Sequence, residues 1–94
     1  MQLIQSTLVE TERVLKALAN RRRLTIIKFL ALKGPQSVGD ISSEIHLSFA
    51  ATSRHLLQLA NANVVEFEQK NTTVFYVLSR TRHSLVHTTL QSLK

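Results

Sequence analysis

Hydrophobic positions fall at helical spacing from the start of the chain. Ile4, Leu8, Thr11, Leu15 and Leu18 recur at i, i+4, i+7, i+11 and i+14, a mostly apolar stripe that predicts a helix over 2–18 with Glu10 and Glu12 on its solvated side. A second helix follows Asn20, whose side chain can accept from an unpaired N–H of the first turn. Leu24, Ile27 and Ala31 form its stripe, Ile26, Phe29 and Leu30 widen it, and Gly34-Pro35 ends it. Ser37 with Asp40 makes a capping pair for a short third helix, 38–45, in which Val38, Ile41 and Ile45 share a face. His46-Leu47 is a tight connection, and Ser48 caps a fourth helix over 49–61. There Thr52, Leu56 and Leu59 point inward, while Ala50, Ser53 and Arg54 point outward. The period then changes. Val64–Glu68 and Val74–Leu78 are rich in β-formers and flank the polar, turn-prone stretch Gln69–Thr73, so they predict a hairpin. Val86, Leu90 and Leu93 return to helical spacing in a last helix over 80–93.

This order is mainly α with a β-hairpin, α-α-α-α-β-β-α. Helices three and four read as a helix-turn-helix over 38–61, and the hairpin over 64–78 reads as a wing. Length sharpens the picture. A domain of 94 residues buries only roughly 60–65% of the surface it exposes when unfolded, so its core is thin and the first helix is expected to pack against a second copy. The reading is one domain over 1–94.

Charge narrows the function. Twelve Lys and Arg against six Asp and Glu give +6, and the pI of about 10.6 lies in the range of nucleic-acid-binding domains. The sequence contains no cysteine, which excludes disulfides, thiolate metal sites and cysteine nucleophiles. No nucleophile elbow, Gly-rich phosphate loop or paired-carboxylate constellation is present, so an enzyme is not expected, nor is a cofactor. The first residues lack a signal-peptide pattern and no run is long and apolar enough to span a membrane, so a cytoplasmic protein is expected.

Several short motifs resemble the ArsR/SmtB family of winged-helix repressors. They are Leu15-Lys16-Ala17-Leu18-Ala19-Asn20 with Arg23-Leu24 and Ile27; Leu47-Ser48 with Ser53-Arg54-His55-Leu56 and Leu59; Ala62-Asn63-Val64-Val65; and Val74-Phe75-Tyr76-Val77-Leu78. Together they span about Leu15 to Leu78 in the family's order. The chain departs from the pattern at Phe49, Ala50 and Ala51, often polar in the family, and at Asn63, usually Gly. The resemblance implies a homodimer built through the first and last helices, with Ile4, Leu8, Leu15, Val86, Leu90 and Leu93 at the interface. It also implies a near-palindromic DNA operator and repression relieved by a signal.

The expected DNA contacts are Ser48, Phe49, Ala50, Ser53, Arg54 and His55 around the fourth helix, Lys70 and Asn71 at the wing, and Arg22 from the basic run Arg21–Arg23. Ser48 lies at a helix N-terminus suited to phosphate, and Arg54 can bind guanine bidentately. His55 can donate to phosphate or pack half-buried, and Arg23 can pair internally. Many relatives sense metals. The family's cysteine site is impossible here, and Arg80 and Arg82 occupy the stretch that carries its last-helix ligands. His83 and His87, at i, i+4, leave a zinc-responsive repressor as an alternative, although no carboxylate stands near to orient them. A regulator answering a non-metal signal, or none, is the preferred reading. A winged-helix protein-interaction module with an apolar patch at Phe49, Ala50 and Leu57 is the other alternative.

Overall fold

The computed structural model describes the backbone of residues 2–94 and side chains from Thr7 onward. Its elements run α1 (Gln2–Leu18), α2 (Arg21–Lys33), β1 (Gln36–Ser37), α3 (Val38–Ile45), α4 (Phe49–Asn61), β2 (Val65–Lys70), β3 (Thr73–Leu78) and α5 (Ser84–Ser92). Local capping explains the helix limits. Asn20 accepts from the Arg23 N–H, Ser37 from Asp40 and Ser48 from Ala51, each satisfying a first-turn donor. Gly34 ends α2 with φ 76°, where a β-carbon would be strained.

One apolar cluster draws on every helix. Val14 and Leu18, Ile26, Ile27 and Leu30, Ile41 and Ile45, Leu56 and Leu59, and Val86 meet there with Val64 and Val65. The face that α1 gives to it differs from the expected stripe. Val14, Ala17 and Leu18, at i, i+3 and i+4, are buried, whereas Leu8 and Leu15 remain 58% and 51% exposed. Of the expected stripe only Leu18 turns into the domain, while Leu8 and Leu15 face away from it. Ile4 lies outside the residues whose side chains are described. On α2 the expected face holds, with Ile26, Ile27 and Leu30 buried and Leu24 and Phe29 packed beside them, except at Ala31, which is exposed.

The hairpin is part of a three-stranded antiparallel sheet in the order β1-β3-β2. The sequence pattern did not reveal β1, a two-residue strand pairing Gln36 with Tyr76 and Ser37 with Phe75. Because Ser37 also caps α3, the middle of the wing is joined to the start of the helix-turn-helix. The wing strands reach further than expected. Lys70 pairs with Thr73, leaving a two-residue turn, with Asn71 in the left-handed region at φ 58°. Phe67 lies opposite Tyr76, their ring centroids 6.0 Å apart and tilted, a cross-strand aromatic pair.

The last helix begins at Ser84, not at Arg80. A polar cluster holds the preceding residues in a turn. The buried Ser79 hydroxyl donates to Asn63 Oδ1 at 3.0 Å and accepts from the Thr81 N–H at 3.2 Å. Asn63 Nδ2 donates to the Thr81 carbonyl at 3.0 Å and to its hydroxyl at 2.9 Å. Arg82 Nη1 donates to the Ser79 carbonyl at 2.8 Å. Asn63 itself takes φ 58°, the left-handed position expected of it. In α5, Val86 is fully buried inside its own chain, so it belongs to the core and not to an interface; Leu90 and Leu93 are half-buried.

Candidate nucleic-acid interface

The turn between α3 and α4 orients the site. His46 adopts φ 55° and ψ 50°, and its N–H points back to the Ser42 and Ser43 carbonyls; the Leu47 N–H donates to Ser42 at 3.1 Å. This closes α3 abruptly and lets α4 start at Phe49. The Ser48 hydroxyl accepts from Ala51 at 3.1 Å, and its carbonyl accepts from the Thr52 N–H and, at 2.8 Å, from the Thr52 hydroxyl. Thr52 is thereby a buried but satisfied polar residue on the inner face. With the Ser48 oxygen committed to capping, the helix N-terminus can still offer the Phe49 and Ala50 N–H groups to an anion.

The outer face of α4 carries Ala50, Arg54 and Leu57 at i, i+4 and i+7, all exposed; Phe49 is exposed at its start and Ser53 is half-buried. Among the described residues Arg54 makes no hydrogen bond or ion pair, so its whole guanidinium fork is free. At the wing, Lys70 and Asn71 are exposed at the far end of the hairpin. A free cation beside a helix N-terminus, with a second cation on a projecting hairpin, is an arrangement that can meet the phosphates and base edges of a duplex.

The other expected contacts are placed differently. Arg22 donates through Nη1 to the Ile45 carbonyl at 2.9 Å, fastening α2 to the end of α3. Arg23 is internal: Nε donates to the Ala17 carbonyl at 2.6 Å, Nη2 to Lys16 at 3.2 Å, and Nη1 lies 3.3 Å from His55 Nδ1. His55 is thus half-buried, with Nδ1 held against Arg23, and the ring's remaining donor is Nε2. Burial first, then the charges of Arg23, Arg54 and Arg22, hold its pKa below the usual imidazole value, which favours the neutral ring. The Arg23–His55 link leaves no mark in the periodicity. Only the run of three arginines hints that one is structural.

His83 and His87 do not share a helical face. His83 lies outside α5 as its cap, with Nδ1 accepting from the Leu85 N–H at 3.0 Å, and His87 Nε2 lies 3.3 Å from Gln91 Nε2. The helical spacing that would pair their imidazoles does not apply, because α5 starts after His83.

Known proteins share this arrangement. The transcriptional activator HlyU of Vibrio cholerae is 46% identical over 68 residues, covering 72% of this chain and 62% of that protein. The chain spans less than two thirds of the length of the curated relatives it matches. The structure of reduced HlyU from Vibrio cholerae superposes with a TM-score of 0.78 at 36% identity, covering 99% of this chain and 94% of that one. A homodimeric winged helix-turn-helix DNA-binding domain from Mycobacterium bovis, a possible ArsR-family regulator, gives a TM-score of 0.81 at 28% identity, covering 95% of this chain and 79% of that one. The fold is thus a winged helix-turn-helix. Residues 20–66, from the cap of α2 into the first wing strand, match the sequence family described as bacterial regulatory protein, arsR family, and the chain belongs to that family.

Proposed function

We propose that this chain is a single-domain, sequence-specific DNA-binding transcriptional regulator that occupies a near-palindromic operator as a homodimer and represses by that occupancy. The observation that carries the reading is the uncommitted outer face of α4, with Arg54 free beside the Ser48-capped N-terminus and Lys70 projecting from the wing, on a chain of charge +6. In this reading Phe49, Ala50 and Ser53 approach the base edges, Arg54 reads a guanine or grips a phosphate, and Lys70 and Asn71 follow the backbone beyond the groove.

Dimerisation finds support in α1. Leu8, Val9 and Leu15 are each more than half exposed, and α1 packs beside α5, where Leu90 and Leu93 are only half-buried. A second copy covering that surface would thicken the thin core. The family is one of regulators, and the chemistry proposed is binding with no reaction. Among the described residues no helix is long and apolar enough to cross a membrane, and the proposed site of action is the cytoplasm, with the DNA. The absence of cysteine means that any inducing signal acts without thiol chemistry on these 94 residues.

Titration of a duplex selected from a random pool, at two salt concentrations, tests the reading. Arg54→Ala should weaken operator binding by roughly 1–3 kcal/mol if it reads a base, whereas Lys70→Ala should weaken all duplexes alike and reduce the salt slope by about 1. Unchanged affinity in both variants overturns the docking geometry. Salt-insensitive retention on a protein partner, lost on changing Phe49 or Leu57, would favour an interaction module instead.

A further inference from the structure

A cleft of about 330 Å³ opens between α1 and the C-terminal half of α4, away from the face assigned to DNA. Its polar lining is made of donors: Arg13 and Lys16 from α1, Arg23 from the start of α2, and the amides of Gln58 and Asn61 from α4. The small side chains of Ala17 and Ala62, both buried, leave room at its base. Among the described residues no carboxylate lines it. Glu12 meets Lys16 only at 3.8 Å with both side chains largely exposed, a pairing too weak to withhold the ammonium from a ligand.

These donors are available. Among the described residues Arg13, Gln58 and Asn61 make no side-chain bond. Arg23 uses three of its five N–H donors on Ala17, Lys16 and His55, which fixes the guanidinium in place and leaves two donors unspent. A rigid, half-buried guanidinium flanked by two mobile cations and two amides is complementary to a compact, multiply charged anion. The position argues against a base-reading role. Gln58 lies ten residues after Ser48, roughly 15 Å along the helix axis from the end that enters a groove.

We propose that this α1–α4 cleft is a binding site for a small multivalent anion of the phosphate class. Its occupancy is coupled to α4 because Arg23, which lines the cleft, also holds His55 of α4 and the carbonyls that end α1. A ligand that draws on Arg23 changes how the outward-facing helix α1 and the proposed DNA-reading helix α4 are held together. The coupling rests on the proposed DNA-binding role; the binding site does not.

Isothermal titration of the full chain with inorganic pyrophosphate tests the site, at about 150 mM salt, where charges more than about 8 Å apart are largely screened. One saturable, sub-millimolar site per chain is expected. Arg13→Ala should weaken it by about tenfold, the loss of one charge-assisted contact, and Gln58→Leu should weaken it less. Lys28→Ala, an exposed cation elsewhere on α2, should leave it unchanged. Absence of saturable heat overturns the proposal, as does an equal loss in Lys28→Ala, which would reduce the binding to general surface charge. A duplex titration separates the remaining outcome. If Arg13→Ala lowers DNA affinity and salt slope without pyrophosphate present, and Lys28→Ala does not, the cleft seats a DNA phosphate and the small-anion assignment falls. If no duplex binds at all, the regulatory reading fails while the calorimetric result stands.

Discussion

Arg23 fastens the middle of α4 to α1 and α2 through a cluster that includes an imidazole, whereas Asn63 and Ser79, with Thr81 and Arg82, fasten its far end to the last wing strand and the turn before α5 without one. Both clusters satisfy backbone carbonyls that would otherwise end an element unpaired. They differ in their response to conditions. The Arg23 cluster contains a titratable ring, His55, ringed by Arg22, Arg23 and Arg54. The bonds joining Asn63, Ser79 and Thr81 are amide and hydroxyl contacts that no proton disturbs near neutrality. The helix that presents the exposed cation is thus held by one anchor that senses acidity and one that does not.

The largest expected effect breaks the Arg23 anchor. Arg23→Ala removes three side-chain contacts and strands the Ala17 and Lys16 carbonyls at the end of α1, so urea unfolding should show a loss of about 2–3 kcal/mol. A loss no greater than that of an exposed surface arginine would show that α1 does not depend on it. Ser79→Ala should cost about 1–2 kcal/mol, because it leaves Asn63 Oδ1 without its recorded donor and the Thr81 N–H without its acceptor. Its cost should be the same at every pH from mildly acidic to neutral.

The smallest effect sharpens the contrast. His55 has a folded pKa below its unfolded value of about 6.5, so as pH falls through that value the unfolded chain takes up the proton first. Its contribution is therefore complete above about 6.5 and is progressively lost toward the lower folded value. His55→Asn keeps an acceptor for Arg23 but cannot titrate. The stability difference between the native chain and this variant should shift against the native chain on acidification. A pH-independent difference would contradict the arginine-ringed, neutral imidazole.

The sequence pattern located α2, α3 and α4 because their limits are local. Asn20, Ser37 and Ser48 each bond a donor three residues on, and that spacing is visible in a one-dimensional chain. The elements it missed depend on distant partners. β1 exists because Gln36 and Ser37 lie beside Tyr76 and Phe75, and α5 starts late because Asn63 holds Thr81. The same division runs through the site. Exposed Arg54 and Lys70 follow from helix spacing and hairpin position, while His55 packs against Arg23 and Arg22, though exposed, spends a donor on the Ile45 carbonyl. On α1, periodicity alone could not say which apolar positions would face the domain, and packing chose Val14, Ala17 and Leu18.

The two-residue strand at Gln36–Ser37 grips the hairpin at its middle, beside Tyr76 and Phe75. Beyond Phe75, the two outer rungs, Gln69–Val74 and Lys70–Thr73, have no third strand beside them and overhang like a cantilever. Reach and anchorage are thereby separable. One residue added before Lys70 and one after Thr73 would carry that lysine outward by about 3.3 Å while the helices stay where they are. The breadth of duplex that the proposed regulator straddles is thus adjustable in the overhang without redesigning anything beneath.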